Sequence, residues 1–290
     1  MYTDFYKLNE IPFGLSPDPK YVFRTESYLE VMANLEYAVD HCKGIVAVTG
    51  EVGTGKTTIL RCAMKRFTRE VASVYIFNPF LTVTEFFDQF TGCLSLGLQR
   101  SSGKPEVLDS LGRLLAARHS RGLRTVLILD EAHGLPTAVL EEVRLLANFE
   151  TNSEKLLQII LCGQPELREV LNLPRLRQLK QRISLRCKLK PLLPHEVNSY
   201  IRFRLKVAGA ERVDLFEPDA TALIARVSSG IPRIINNICD NALLYGCSAG
   251  SARVTRALVE EVVETLDLEP SDILDDGASS ISAQLSATAR

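Results

Sequence analysis

An apolar run, Ile45-Val46-Ala47-Val48-Thr49, passes directly into Gly50-Glu51-Val52-Gly53-Thr54-Gly55-Lys56-Thr57-Thr58. Four consecutive apolar residues, three of them β-branched, predict a buried strand. The segment after it fits the spacing G-x-x-x-x-G-K-[ST], and the amphipathic run from Lys56 to Arg69 predicts the helix that should follow. Glycines there let backbone N–H groups turn inward, and the start of the helix adds partial positive charge, so the loop is built for an anion. In this arrangement residues 50–58 cradle the phosphates of a nucleotide. Lys56 reaches the β- and γ-phosphates, and the Thr57 hydroxyl ligates Mg²⁺. The correct strand before and helix after argue against a chance glycine-rich turn.

Working outward, the same alternation recurs. Val74–Phe77, Val126–Leu129 and Gln158–Leu161 read as strands, with a last short one at Leu185–Leu189. Helices are expected near 26–41, 83–97, 105–120 and 136–149. Uninterrupted apolar strands alternating with helices imply a parallel sheet covered on both faces, an α/β fold of the P-loop NTPase kind. Asp130-Glu131 follows the strand Val126–Leu129 directly, at the carboxyl end where parallel sheets place their ligands. Asp130 is suited to hold Mg²⁺ through water, and Glu131 to polarise a water for attack on the γ-phosphate. The competing explanation is that the two acids cap the next helix.

The ends of the chain read differently. The first 29 residues are aromatic and broken by Pro12, Pro17 and Pro19, which predicts an extended arm. Residues 30–190 form the P-loop core. Beyond Pro191 the strands stop, and helices near 194–208, 217–229, 232–247 and 255–266 predict a small helical lid over 191–268. Residues 269–290 are rich in Asp, Ser and Ala and are expected to be disordered.

Composition narrows the alternatives. Thirty-four Lys and Arg stand against 35 Asp and Glu, a net charge of −1, which excludes a globally basic nucleic-acid binder but not a local basic patch. No run of about 18 uncharged apolar residues offers a membrane span. The N-terminus lacks a basic-then-apolar leader. The seven cysteines include no CxxC pair and sit among apolar neighbours, as small buried thiols of a reduced, cytoplasmic protein.

Taken together these blocks resemble the AAA+ ATPases, and more narrowly the general secretion pathway protein A (ExeA-type) family. The resemblance rests on Pro12-Phe13-Gly14-Leu15-Ser16-Pro17-Asp18-Pro19, on the phosphate loop, and on Asp130-Glu131-Ala132-His133. Leu161-Cys162-Gly163-Gln164-Pro165-Glu166-Leu167 and Gly230-Ile231-Pro232-Arg233 follow in the same order. It implies binding and hydrolysis of ATP with Mg²⁺, assembly into a homo-oligomer, and a protein partner in a secretion, pilus or envelope-polysaccharide system. Longer relatives continue into a membrane segment and a peptidoglycan-binding domain. This chain ends before either, so cell-wall attachment is not expected. The related TniB-like transposition ATPases share the blocks, which keeps DNA open as a partner and a nucleotide-switched DNA-binding regulator as the alternative function.

The resemblance also implies roles for three further residues. Gln164 is a sensor orienting the attacking water, or else a loop amide bonded to backbone. Arg233 is a second sensor, or else a solvated arginine. Seven cations and no acid lie between Arg175 and Lys190, suiting a nucleic-acid surface, an arginine finger for a neighbouring subunit's ATP, or a solvated face. Arg182 is the finger the resemblance favours. His133 is read as a structural neighbour, because no second metal ligand stands at a suitable spacing.

Overall fold

The computed structural model describes residues 2–96 and 103–268, so the expected disordered tail, 269–290, lies outside the described residues. Two compact units form, one from residues 24–190 and one from residues up to 23 together with 191 onward.

The first unit holds one sheet of five strands: β1 (Ile45–Gly50), β2 (Val71–Ile76), β3 (Arg124–Leu129), β4 (Gln158–Gly163) and β5 (Ile183–Leu189). The order is β2-β3-β4-β1-β5, and each neighbouring pair is parallel. Alternation along each strand sends side chains to opposite faces. Ile45, Leu127, Leu129, Ile159 and Leu161 pack with Phe86, Phe90, Leu111 and Val139 from the helices Val83–Cys93, Lys104–His119 and Thr137–Leu146. Their neighbours Val46, Val48, Ile128 and Ile160 are equally buried on the other face. Both faces being covered is why these strands read as continuous apolar runs. The order also brings the carboxyl ends of β3, β4 and β1 side by side, and those ends carry Asp130, Gln164 and the phosphate loop.

Most expected elements stand within two or three residues of their observed bounds, with instructive exceptions. The helix expected over 83–97 ends at Cys93, and β2 begins at Val71 rather than Val74. β2 is an edge strand and its first residues are only partly buried, so half of it lacks the apolar signature.

The helical unit contains Pro194–Val207, Pro218–Ser228, Pro232–Ser248 and Arg256–Thr265. The opening segment, expected as an extended arm through residue 29, begins instead with a helical turn, Tyr2–Phe5. Its side chains Tyr2, Tyr6, Leu8 and Phe13 are buried in the same core as Tyr200, Ile201, Ile235 and Leu243. Arg204, 6% exposed, anchors it by donating to the Pro12 and Gly14 carbonyls at 2.6 and 3.2 Å. A third bond reaches the Tyr200 hydroxyl at 2.8 Å, and the guanidinium lies 4.5 Å from the Tyr21 ring centre. Burial of a guanidinium is tolerable here because carbonyls and aromatic faces replace its water. Gly230 has φ 72°, and a Cβ there would come within 1.9 Å of the Leu192 carbonyl oxygen. Only glycine fits.

Candidate nucleotide site

β1 delivers Gly50 to the mouth of the loop, where a Cβ would press to 2.7 Å from the Leu189 carbonyl oxygen on β5. Gly53 and Gly55 take φ of 81° and 99°, the left-handed backbone a nest of inward N–H groups requires. Thr54 clips the turn by donating to the Glu51 carbonyl at 2.8 Å. The helix Lys56–Arg66 starts from Gly55 with no side-chain cap, and Ile59 is the residue whose N–H closes on the Gly55 carbonyl. The N–H groups of its first turn are therefore left to a ligand. Glu51 and Val52 are exposed at the tip, while Thr57 and Thr58 are half-buried in the first turn.

Lys56 is buried. Its Nζ donates to the carbonyls of Gly50 at 2.9 Å and Glu51 at 3.1 Å, so the ammonium is fixed at the loop. Thr57 Oγ1 donates to Asp130 Oδ2 at 2.8 Å, tying the loop helix to the end of β3. The same carboxylate oxygen accepts from Tyr75 OH at 2.7 Å, and Oδ1 accepts from the Glu131 N–H at 3.0 Å. Sequence reasoning missed Tyr75. Its link to Asp130 exists only because β2 pairs with β3, and nothing local announces that pairing. Burial, and then the bond to Asp130, push the Tyr75 phenol up, so it stays a donor at neutral pH. Cys162, on β4, is pushed well above the usual thiol range by burial and by the Asp130 charge, and remains a thiol.

Glu131 sits in left-handed backbone, φ 52° and ψ 34°. For a residue with a Cβ this costs on the order of 1–3 kcal/mol and persists where surrounding structure imposes it. Neither acid caps a following helix by its side chain: Glu131 makes no such bond to the turn Ala132–Gly134, and Pro136 stands before Thr137–Leu146. Gln164 follows β4 and its N–H points to His133 Nδ1 at 3.4 Å. His133 thus lies between Glu131 and Gln164, a structural neighbour of both. Among the described residues no three His, Cys, Asp or Glu converge on one point, so the donors suited to a divalent ion are Thr57 and Asp130. A hard oxygen pair fits magnesium, an ion that takes phosphate oxygens and waters for the rest of its coordination.

The two arginines belong to different units. Arg182 donates to the Arg144 carbonyl at 2.8 Å and to Asn148 Oδ1, capping the end of the helix Thr137–Leu146. Arg233 is exposed on the first turn of Pro232–Ser248, in the helical unit. The cysteines are all free; Cys62, Cys162, Cys187 and Cys239 are buried, Cys42 and Cys247 half-buried, and Cys93 is exposed against expectation.

A family model described as an AAA domain matches residues 39–171, the span from the helix before β1 to the helix after β4. Residues 39–171 belong to the AAA domain family, and the fold is that of AAA+ ATPases. It is 42% identical over 277 residues to general secretion pathway protein A of Aeromonas hydrophila, a match covering 96% of this chain. The chain spans about half the length of that relative (50%). Among solved structures, Cdc6p of Pyrobaculum aerophilum superposes with a TM-score of 0.65 at 17% identity, covering 91% of this chain and 70% of that one. The Aeropyrum pernix ORC1 protein, solved in complex with DNA, gives 0.62 at 18% identity, covering 90% and 70%. At such identities these two show the AAA+ fold alone. Among the described residues no helix is long and apolar enough to cross a membrane.

Proposed function

We propose that this AAA+ protein binds ATP with magnesium at residues 50–58 and Asp130, hydrolyses it, and uses the cycle to remodel or assemble a partner of a secretion, pilus or envelope-polysaccharide system in the cytoplasm. The observation that carries the reading is the bond from Thr57 to Asp130, which joins the phosphate loop to the acidic strand end with Glu131 next in line. Lys56 and the first-turn N–H groups hold the phosphates. Magnesium, when bound, supplies positive charge against the β- and γ-phosphate oxygens. Glu131 takes the proton of the attacking water, Gln164 orients that water, and Arg233 acts as second sensor. Arg182 is the finger a neighbouring copy supplies, and it must leave the Arg144 carbonyl to serve. The similarity to general secretion pathway protein A supports the secretion setting. Phosphate release by the purified chain, abolished in Lys56→Ala and Glu131→Gln, is the test; turnover that survives both substitutions refutes it.

One observation favours DNA as a partner. A solvent-open groove of about 420 Å³ is lined by Arg168, Lys180, Arg186 and Lys188, with Thr49 and Asn172 but no acid. Arg186 and Lys188 are paired with Ala47 and Thr49 across β5 and β1, so both cations share one face of the edge strand. A row of cations without aromatic rings suits phosphate backbone rather than stacked bases. Binding of duplex DNA that weakens steeply with salt and is lost in Arg186→Glu/Lys188→Glu supports this reading, and salt-insensitive or unchanged binding removes it.

A further inference from the structure

His133 faces two groups with one nitrogen. Its Nδ1 lies 3.4 Å from Glu131 Oε2 and 3.4 Å from the backbone nitrogen of Gln164, which donates to it. Glu131 Oε2 is itself buried and has no hydrogen-bond partner. These facts are one fact. A ring nitrogen that accepts from the Gln164 N–H presents its lone pair and carries no hydrogen, so it has nothing to give the carboxylate. The ring is closely seated: a Cβ at Gly163 would come within 3.3 Å of Nδ1 and 3.2 Å of the His133 nitrogen. The next residue, Gly134, lies against Pro79, where a Cβ would meet the proline Cβ at 2.7 Å.

We propose that His133 is a positioning residue that selects between two arrangements of the catalytic glutamate. In the arrangement seen here the proton sits on Nε2, Nδ1 accepts from Gln164, and the Glu131 carboxylate is unheld. When the backbone at Gln164 shifts as the side chain engages the γ-phosphate, its N–H leaves Nδ1. The ring then takes the other tautomer, with the proton on Nδ1, and donates to Glu131 Oε2. The carboxylate is thereby fixed as a base when the sensor strand is engaged. The change moves one proton between the two nitrogens of the same ring through solvent, and net charge is unaltered. The inference rests on the ATPase reading above and adds the link between sensor and base.

The test uses the full chain and two readouts. In wild type, the nitrogen-15 signals of the His133 imidazole should show an unprotonated Nδ1 without nucleotide and a protonated Nδ1 with Mg²⁺ and a non-hydrolysable ATP analogue. Identical signals in both states overturn the proposal, whatever the variants do. In steady-state kinetics, His133→Phe keeps the ring and removes both nitrogens. It should lower kcat by about tenfold or more, the scale of lost outer-shell contacts, with KM for ATP nearly unchanged. His133→Asn, whose amide can accept or donate near the Nδ1 position, should recover most of that loss. A His133→Phe protein with wild-type kcat overturns the proposal, as does a His133→Asn protein no better than a folded His133→Phe one. Should His133→Phe fail to fold, the nitrogen signals alone decide. Absence of turnover in wild type itself refutes the ATPase reading and is seen before any variant is compared.

Discussion

Thr57 Oγ1 and Asp130 Oδ2, 73 positions apart in the chain, are 2.8 Å apart in space. One belongs to the helix after the phosphate loop, the other to the end of β3, and β4 runs between their strands in the sheet. Hydroxyl and carboxylate are thus held together as a pair, which limits the reorganisation that magnesium binding requires.

Tyr75 steadies that pair, and its removal should be felt through the ion. Tyr75→Phe keeps the ring beside Phe77 and deletes only the bond to Asp130. The magnesium concentration needed for half-maximal turnover should rise about tenfold, in line with other outer-shell losses. Titrating Mg²⁺ at saturating ATP measures it, and an unchanged midpoint would leave Tyr75 a packing residue.

Lys56→Ala removes a buried ammonium that also braces Gly50 and Glu51. Charge-assisted bonds contribute roughly 1.5–3 kcal/mol each, so ATP affinity should fall by at least about tenfold. Calorimetry reads the affinity. Because the brace is lost as well, the melting temperature should drop slightly rather than stay fixed.

Glu131→Gln keeps the left-handed turn and its amide bond to Asp130 but cannot take a proton. ATP should bind as in wild type while turnover falls by ~10²–10⁴, the usual range for a general base. Single-turnover phosphate release checks it; a loss smaller than twofold means that another group accepts the proton.

Arg182 has a measurable structural task in the single chain. Its bond to the Arg144 carbonyl is worth about 1 kcal/mol, so Arg182→Ala should lower the melting temperature by about 2–4 °C. As a finger it should also lose hydrolysis while keeping ATP affinity. Mixing with Lys56→Ala should then restore part of the activity, since each variant supplies what the other lacks. Full hydrolysis in the destabilised single variant would confine Arg182 to its cap.

Arg204→Ala should free the opening segment. Three hydrogen bonds are lost and two carbonyls lose this donor, a destabilisation of roughly 2–4 kcal/mol. Limited proteolysis should then cut between residues 7 and 20 well below the melting temperature. Resistance equal to wild type would mean that the buried aromatics alone hold the segment.

The strand Ile45–Gly50, the loop that follows and the acids Asp130-Glu131 were legible in the sequence because each is a local pattern. Apolar runs mark strands buried on both faces, glycines mark left-handed turns, and a lysine and threonine at fixed spacing mark a phosphate loop. The contacts that pattern reading could not supply share one property: they join segments distant in the chain. Tyr75 meets Asp130 because β2 lies beside β3. His133 stands between Glu131 and Gln164 because β4 lies beside β3. Arg204 holds Pro12 and Gly14 across some 190 positions. Local periodicity fixes which residues face inward, but not which strand becomes whose neighbour. Tertiary packing made that choice, and with it placed an imidazole between Glu131 and Gln164 and a guanidinium under the opening segment.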